Sequence, residues 1–178
     1  AQITGVELKD YMRYAEGERT DHVQMMREGS ADFDICMYVR NGLNNVRLNT
    51  HDYAFVVDPV QKIDDYQRVV MRLPVSGMSA IEYVYKVYDS ESVARNYMID
   101  FDVRMVDMEQ LMSNQTQLDV VWRSISLRNE KGFQNENMAT TIAYRFPNES
   151  SIEELSVGER AEETENTRVN WVAFKQQF

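Results

Sequence analysis

Cysteine, histidine and glycine are all scarce in this chain of 178 residues, and each scarcity closes off a class of chemistry. The single cysteine, Cys36, excludes a disulfide framework and any zinc site built from several thiolates. The two histidines, His22 and His51, are far apart and lack a ligand-spaced partner, so no metal and no cofactor is expected. The seven glycines are scattered, and none falls in the Gly-rich pattern that cradles a phosphate. No run of 18 apolar residues occurs, so nothing in the chain reads as a membrane-spanning helix. Positive charge is in the minority. Nineteen Lys and Arg against 29 Asp and Glu leave a net charge of −10, the wrong sign for sequence-independent binding to duplex nucleic acid. What is present is an apolar fraction of 43%, enough for the core of one domain of this length. The first residue is Ala1, with neither an initiator Met nor a signal pattern, as in a mature or truncated piece.

The first half reads as helical. Leu8, Tyr11, Met12 and Ala15 recur at near-helical spacing between Val6 and Arg27, with Gly5 and Gly17 as the only breakers. Ser30 is placed to cap a second helix, with Asp32 and Asp34 near its positive end. Cys36, Val39, Leu43 and Val46 follow at steps of three and four, although Gly42 interrupts them. Asp58-Pro59 has the form of a helix start, Val60, Ile63, Gln67 and Val70 continue one face, and Pro74 closes the segment. A further helix is expected over Ser79–Tyr88, with Ile81, Val84, Tyr85 and Tyr88 on its face.

The period then changes to two. Tyr97, Ile99, Phe101, Val103 and Met105 alternate with Met98, Asp100, Asp102 and Arg104, which predicts a strand with one buried face. Further strands are expected over Leu118–Leu127, Met138–Phe146 and Val169–Phe174, with a turn at Glu130-Lys131-Gly132. Seven glutamates crowd the segment Glu149–Asn166 against one Arg160, which predicts a solvated acidic loop. Helices followed by a strand meander form the α+β pattern. No linker divides the chain. The expectation is therefore one domain over 1–178, helical over about 4–90 and sheet over about 96–178.

Catalytic constellations are hard to find. His51-Asp52 has the composition of a base with its orienting acid, but adjacent residues rarely face one another. Cys36 lies on an apolar face and reads as a small buried hydrophobe. Asp100 and Asp102 could form an acid/base pair; the plainer reading is the wet side of a strand, with Arg104 relieving their repulsion. Tyr83, Tyr85, Tyr88 and Tyr97 place four phenols within fifteen residues, a composition suited to core packing or to an interface.

The order of elements resembles the periplasmic domain of the TrbF-like inner-membrane assembly factors of type IV secretion and conjugation systems. The likeness is carried by Tyr85-Lys86-Val87-Tyr88-Asp89-Ser90 leading into Tyr97-Met98-Ile99-Asp100-Phe101-Asp102-Val103, and by Asp119-Val120-Val121-Trp122-Arg123 with its central tryptophan. The turn Arg128–Gly132, the strand Thr140–Phe146 and the ending Val172-Ala173-Phe174 complete it, over about residues 80–178. The resemblance implies a nuclear transport factor 2-like cone, a curved antiparallel sheet of about four strands packed against N-terminal helices. It implies a non-enzymatic scaffold in protein transport at the periplasmic face of the bacterial inner membrane, anchored by a helix preceding Ala1. Such a scaffold would act through homodimers or higher homo-oligomers and contacts to other secretion subunits. The implied partner-binding residues are Asn166, Thr167 and Arg168, with Tyr85 and Tyr88 on the tyrosine-rich segment. The family's Asn-Pro-x-Gly turn is here Asn166-Thr167-Arg168-Val169, which lacks the glycine that reaches positive φ easily. The alternative is a small-molecule binder or isomerase-like enzyme on the same cone, with Asp100, Asp102 or His51 inside a pocket.

Overall fold

The computed structural model describes residues 1–15, 18–89, 95–112, 117–158 and 160–176. Its described residues are dominated by antiparallel strands, and the chain divides into two compact units, 1–2 with 33–122 and 3–32 with 123–178. The expected N-terminal helices are absent among the described residues, and the helix-on-sheet cone is replaced by several sheets. The chain passes between units inside strands, at 32/33 and at 122/123, which is why no linker marks the division in sequence.

The first unit is built on a five-stranded sheet. Its strands are β5 (Val56–Val57), β6 (Gln61–Ile63), β7 (Tyr66–Ser76), β8 (Ser79–Tyr88) and β9 (Ile99–Val106). The two short strands β5 and β6 both pair with β7, which pairs with β8, which pairs with β9. β8 is the segment that reads as a helix in sequence. Ala80 to Tyr85 are buried without interruption, so both faces of β8 are covered. A strand buried on both faces loses its alternation, and a short apolar run cannot then be told from a buried helix by period. Ile81 and Val84 have no exposed surface, and burying a side chain of that kind stabilises by about 1.5–3 kcal/mol. Glu82 on the same strand is satisfied by Arg72, its cross-strand partner on β7, at 2.8 Å.

A second sheet contributes to this unit through β3 (Ala31–Asn41), β4 (Asn44–Asn49) and β10 (Asp119–Ser124), with β3 in the middle. Phe33, Ile35, Met37 and Val39 alternate along β3, and the last three are buried. Five rings close the core: Phe33 meets Tyr83 and Phe101 edge-on, Phe55 lies 4.7 Å from Tyr83, and Tyr85 stacks on Phe101 at 4.7 Å. Asp58-Pro59 starts no helix; it lies between β5 and β6, where the Asp58 amide bonds the Val70 carbonyl at 2.9 Å. Pro74 sits in β7 beside a bulge, a place where its missing N–H is tolerated.

The second unit contains the hairpin β1 (Val6–Ala15) and β2 (Glu18–Met26), the short helix α1 (Phe133–Ala139), and a sheet of β11 (Thr141–Arg145), β12 (Glu153–Glu154) and β13 (Trp171–Lys175). Between Leu8 and Met12 β1 advances four residues while β2 advances one, from Val23 to His22. That irregularity produces the helix-like spacing read from Leu8, Tyr11 and Met12. Ser30 does not cap a helix. It closes the turn Arg27–Ser30, its hydroxyl bonding back to Arg27 at 2.8 Å while Gly29 supplies φ +77°. Asn129 and Glu136, both buried, form a polar knot here: the Glu136 carboxylate accepts the Asn129 amide at 2.7 Å, and the Asn129 side chain pairs with the Gln24 backbone. The strand expected over Met138–Phe146 starts only at Thr141, because Met138 belongs to α1. Part of the acidic segment is structured, since Glu153 and Glu154 pair with β11 and Lys175 bonds Glu154 at 2.8 Å. Glu159, Ser90 and Gly17 lie outside the described residues.

Candidate functional site

Two tight hairpins frame a concavity of the first unit. β3 and β4 are joined by Gly42-Leu43 between the paired Asn41 and Asn44, and β7 and β8 by Gly77-Met78 between Ser76 and Ser79. In each loop the first residue is a glycine at positive φ, +62° for Gly42 and +56° for Gly77, the conformation that two-residue loops demand and that glycine adopts without strain. A groove of about 520 Å³ lies between these loops, with Gly42 on one side and Pro74 to Ser76 on the other. Its floor is the buried Val39, Leu48 and Leu73, and Tyr53, Val46 and Leu111 continue the wall. The Arg40 amide bonds the Leu111 carbonyl at 2.7 Å, which holds that wall in place.

Two cations, Arg40 and Arg47, line the groove, and among the described residues no acidic one does. Arg47 is held by Asn49 at 3.1 Å, and its hydrogen bond to the Cys36 sulfur pushes the guanidinium further above its ordinary range. Cys36 itself is buried and donates to Asp34 at 3.3 Å.

The first unit also holds a buried polar network. The Thr50 hydroxyl, with 1% of the residue exposed, donates to Asp34 and accepts the Ile35 amide, both at 2.9 Å. With its single proton spent on Asp34, it also accepts the Tyr83 hydroxyl at 2.8 Å. The same Asp34 oxygen receives the His51 amide at 2.9 Å. Burial pushes Asp34 up, but the His51 amide, the Thr50 hydroxyl and the Cys36 thiol outweigh it, so the carboxyl lies below its usual range. Burial raises Tyr83, and it raises Tyr85 further, to about 12. Among the described residues no carboxylate, histidine or thiol lines the groove. Among the described residues no cluster of three or more His, Cys, Asp or Glu could hold a metal, and no helix is long and apolar enough to cross a membrane.

The residues singled out from sequence are scattered. Tyr85 is 7% exposed and spent on the aromatic core, and Tyr88 bonds Asp100 at 2.8 Å and receives Arg95 at 2.6 Å. Asn166, Thr167 and Arg168 are exposed in the bend before β13, in the second unit. Asp100, Asp102 and His51 do not line the groove, so the isomerase-like alternative has no pocket acid among them. Asp102 lies 3.9 Å from Lys86 instead. The groove itself was missed in sequence. The legible signal was the pair Asn-Gly-Leu-Asn and Ser-Gly-Met-Ser, each a Gly-first two-residue loop between β-forming runs.

An antiparallel β protein with an apolar-floored groove lined in part by two arginines is the class that fold and site define. The known proteins it is similar to narrow this further. Over 172 residues the chain is 27% identical to the membrane protein insertase YidC of Bacteroides fragilis, covering 96% of this chain and 25% of the relative. The membrane protein insertase YidC of Porphyromonas gingivalis is 28% identical over 178 residues, 99% of this chain and 26% of the relative. That of Phocaeicola vulgatus is 31% identical over 135 residues, 75% of this chain and 20% of the relative. The chain thus spans about a quarter of the length of the curated relatives it matches. No protein-family model and no solved structure matches it. These relatives overturn the likeness to a TrbF-like factor, and with it the type IV secretion role and the secretion subunits expected as partners. The likeness failed physically at its first feature, because the tyrosine-rich segment that should be a helix is β8. The relatives' name associates them with membrane proteins, which is compatible with a location at a membrane.

Proposed function

We propose that this chain serves as the non-spanning β domain of a membrane protein insertase, at the periplasmic face of a bacterial inner membrane. The observation that carries the reading is the end-to-end match: 96–99% of the chain aligns with about a quarter of insertases from two genera. In this role the domain binds and positions, and no residue is assigned a catalytic step. Its partners are membrane proteins undergoing insertion and the machinery that delivers them. The exposed bend Asn166-Thr167-Arg168 is a contact point for such partners, whereas buried Tyr85 is not.

The test is a chimera in which this chain replaces the matched quarter of the Bacteroides fragilis insertase. Insertion of a reporter membrane protein is measured after depletion of the native insertase. The chimera is expected to insert better than one carrying an unrelated β domain of equal length. Equal insertion by the two, at equal abundance, refutes the proposal.

A further inference from the structure

Leu43 and Met78 have no packing role in the fold. Leu43 is fully exposed, at 105% of its reference surface, and Met78 is 84% exposed. Each is the second residue of a two-residue hairpin loop whose backbone requirement is already met by the preceding glycine. Turn chemistry would be served as well or better by Asn, Ser or Lys at these positions. Both loops bound the same groove, since Gly42 and Ser76 line it, so the two apolar tips flank one concavity. Tyr53, 48% exposed, stands on its wall with an apolar body and a polar tip. Arg40 and Arg47 supply positive charge there, in a chain with 29 acidic residues and a net charge of −10, and none of the described acids lines the groove.

We propose that this end of the first unit docks on an anionic phospholipid bilayer, with Leu43 and Met78 entering the boundary between headgroups and acyl chains and Arg40 and Arg47 meeting lipid phosphates. Apolar tips beside cationic and tyrosine side chains are the combination that an interfacial surface needs. A peptide lying in the groove would meet Leu48, Leu73 and Tyr53, which line it, whereas neither Leu43 nor Met78 does, so a groove ligand does not account for the tips. Arg47 is already engaged by Asn49 and the Cys36 sulfur, so Arg40 carries the larger share of the attraction to phosphate. The chain's remaining negative charge opposes approach only weakly, because charges more than about 8 Å away are screened at physiological salt. The proposal rests on the insertase reading for its membrane; that membrane would lie beside the domain.

Flotation of the 178-residue chain with vesicles tests it, using about three parts phosphatidylethanolamine to one part phosphatidylglycerol, and phosphatidylcholine alone as control. Binding is expected with the anionic vesicles, weakening as salt rises, and not with phosphatidylcholine. The double variant Leu43→Asn/Met78→Asn should bind at least about tenfold more weakly, and Arg40→Gln about fivefold more weakly. Both should melt at the wild-type temperature, because neither tip contributes to the core. The assignment is overturned if wild type stays unbound at low salt, or if the double variant floats as wild type does. It is equally overturned if an extended apolar peptide with an acidic end saturates the groove and abolishes vesicle binding while the tip variants bind that peptide and the vesicles unchanged. Vesicle binding by a domain whose chimera cannot insert upholds the surface and removes the insertase reading. A working chimera without vesicle binding does the reverse.

Discussion

Replacing Thr50 by valine isolates the buried network around Asp34 and Tyr83, because the exchange swaps a hydroxyl for a methyl at nearly constant volume. No cavity opens, so the change reads hydrogen bonding alone. The Ile35 amide and the Tyr83 hydroxyl each lose their acceptor, and Asp34 loses a donor. A buried donor left unsatisfied costs about 1–3 kcal/mol. Two such donors at a mid-range cost of about 2 kcal/mol each, less the roughly 1 kcal/mol returned by burying a methyl, predict a loss of about 3 kcal/mol. In a chain of this size that is a fall in Tm of roughly 5–15 °C. Thr50→Ser keeps the hydroxyl and loses only the methyl, for about 1 kcal/mol. The assay is urea unfolding followed by near-ultraviolet circular dichroism of the tyrosines, comparing midpoints at unchanged slope. Tyr83→Phe should destabilise the wild type and be nearly neutral in the Thr50→Val background, a coupling of about 1 kcal/mol or more. If Thr50→Val costs no more than Thr50→Ser, the network does not tie Asp34 and Ile35 of β3 to Tyr83 of β8 and the reasoning fails.

Three other outcomes are expected. Asp34 is depressed in the folded state, so its stabilisation is present above the unfolded carboxyl value of about 3.9 and is lost as pH falls through the lower folded value. Acid titration of unfolding midpoints should show this loss in wild type, and Asp34→Asn should flatten that part of the profile. Tyr85 is shifted the other way, to about 12, so its contribution is full below about pH 10 and disappears as pH rises through the folded value. Absorbance at about 295 nm should show a late-ionising tyrosine fraction that Tyr85→Phe reduces; ionisation of every tyrosine near pH 10 in the folded protein would contradict the buried placement. Finally, Gly77→Ala should cost about 1 kcal/mol although a Cβ there meets open space, since φ +56° alone penalises it. Gly77→Asn should cost less in the same urea assay, and equal costs would mean that the loop relaxes to another turn.

The parts of the fold legible in sequence were those with one wet face. Of the strand expected over Tyr97–Val106, Ile99–Val106 is β9, at the edge of its sheet; Asp102 and Arg104 are exposed against half-buried Phe101, Val103 and Met105, while Tyr97 and Ile99, expected on the buried face, are exposed. The strand expected over Leu118–Leu127 lies at β10, and that over Val169–Phe174 largely at β13. The segments misread as helices fail for three separate reasons. β8 is covered on both faces and loses its period, and β1 carries an irregularity that shifts its phase between Leu8 and Met12. In β3 and β4 the spacing of Cys36, Val39, Leu43 and Val46 runs across a hairpin, joining a buried cysteine to a loop-tip leucine. The stricter alternation of Phe33, Ile35, Met37 and Val39 was present and pointed to the strand. The candidate site was less legible still, because its groove draws on hairpins more than thirty residues apart.

The amino-acid sequence by itself determined the exclusions: one cysteine, two histidines and scattered glycines leave no disulfide framework, no multi-thiolate metal site and no phosphate loop wherever they are placed. It also determined the sign of the surface, since 29 acids against 19 bases keep the chain negative in any fold. Only tertiary structure decided which local periods were real, because burial on two faces and a strand irregularity both erase the pattern that local reading relies on. Tertiary structure alone also placed two arginines and two apolar loop tips around one groove. Pairing between distant strands creates that neighbourhood, and pairing is a property of the folded backbone that no short window of residues contains.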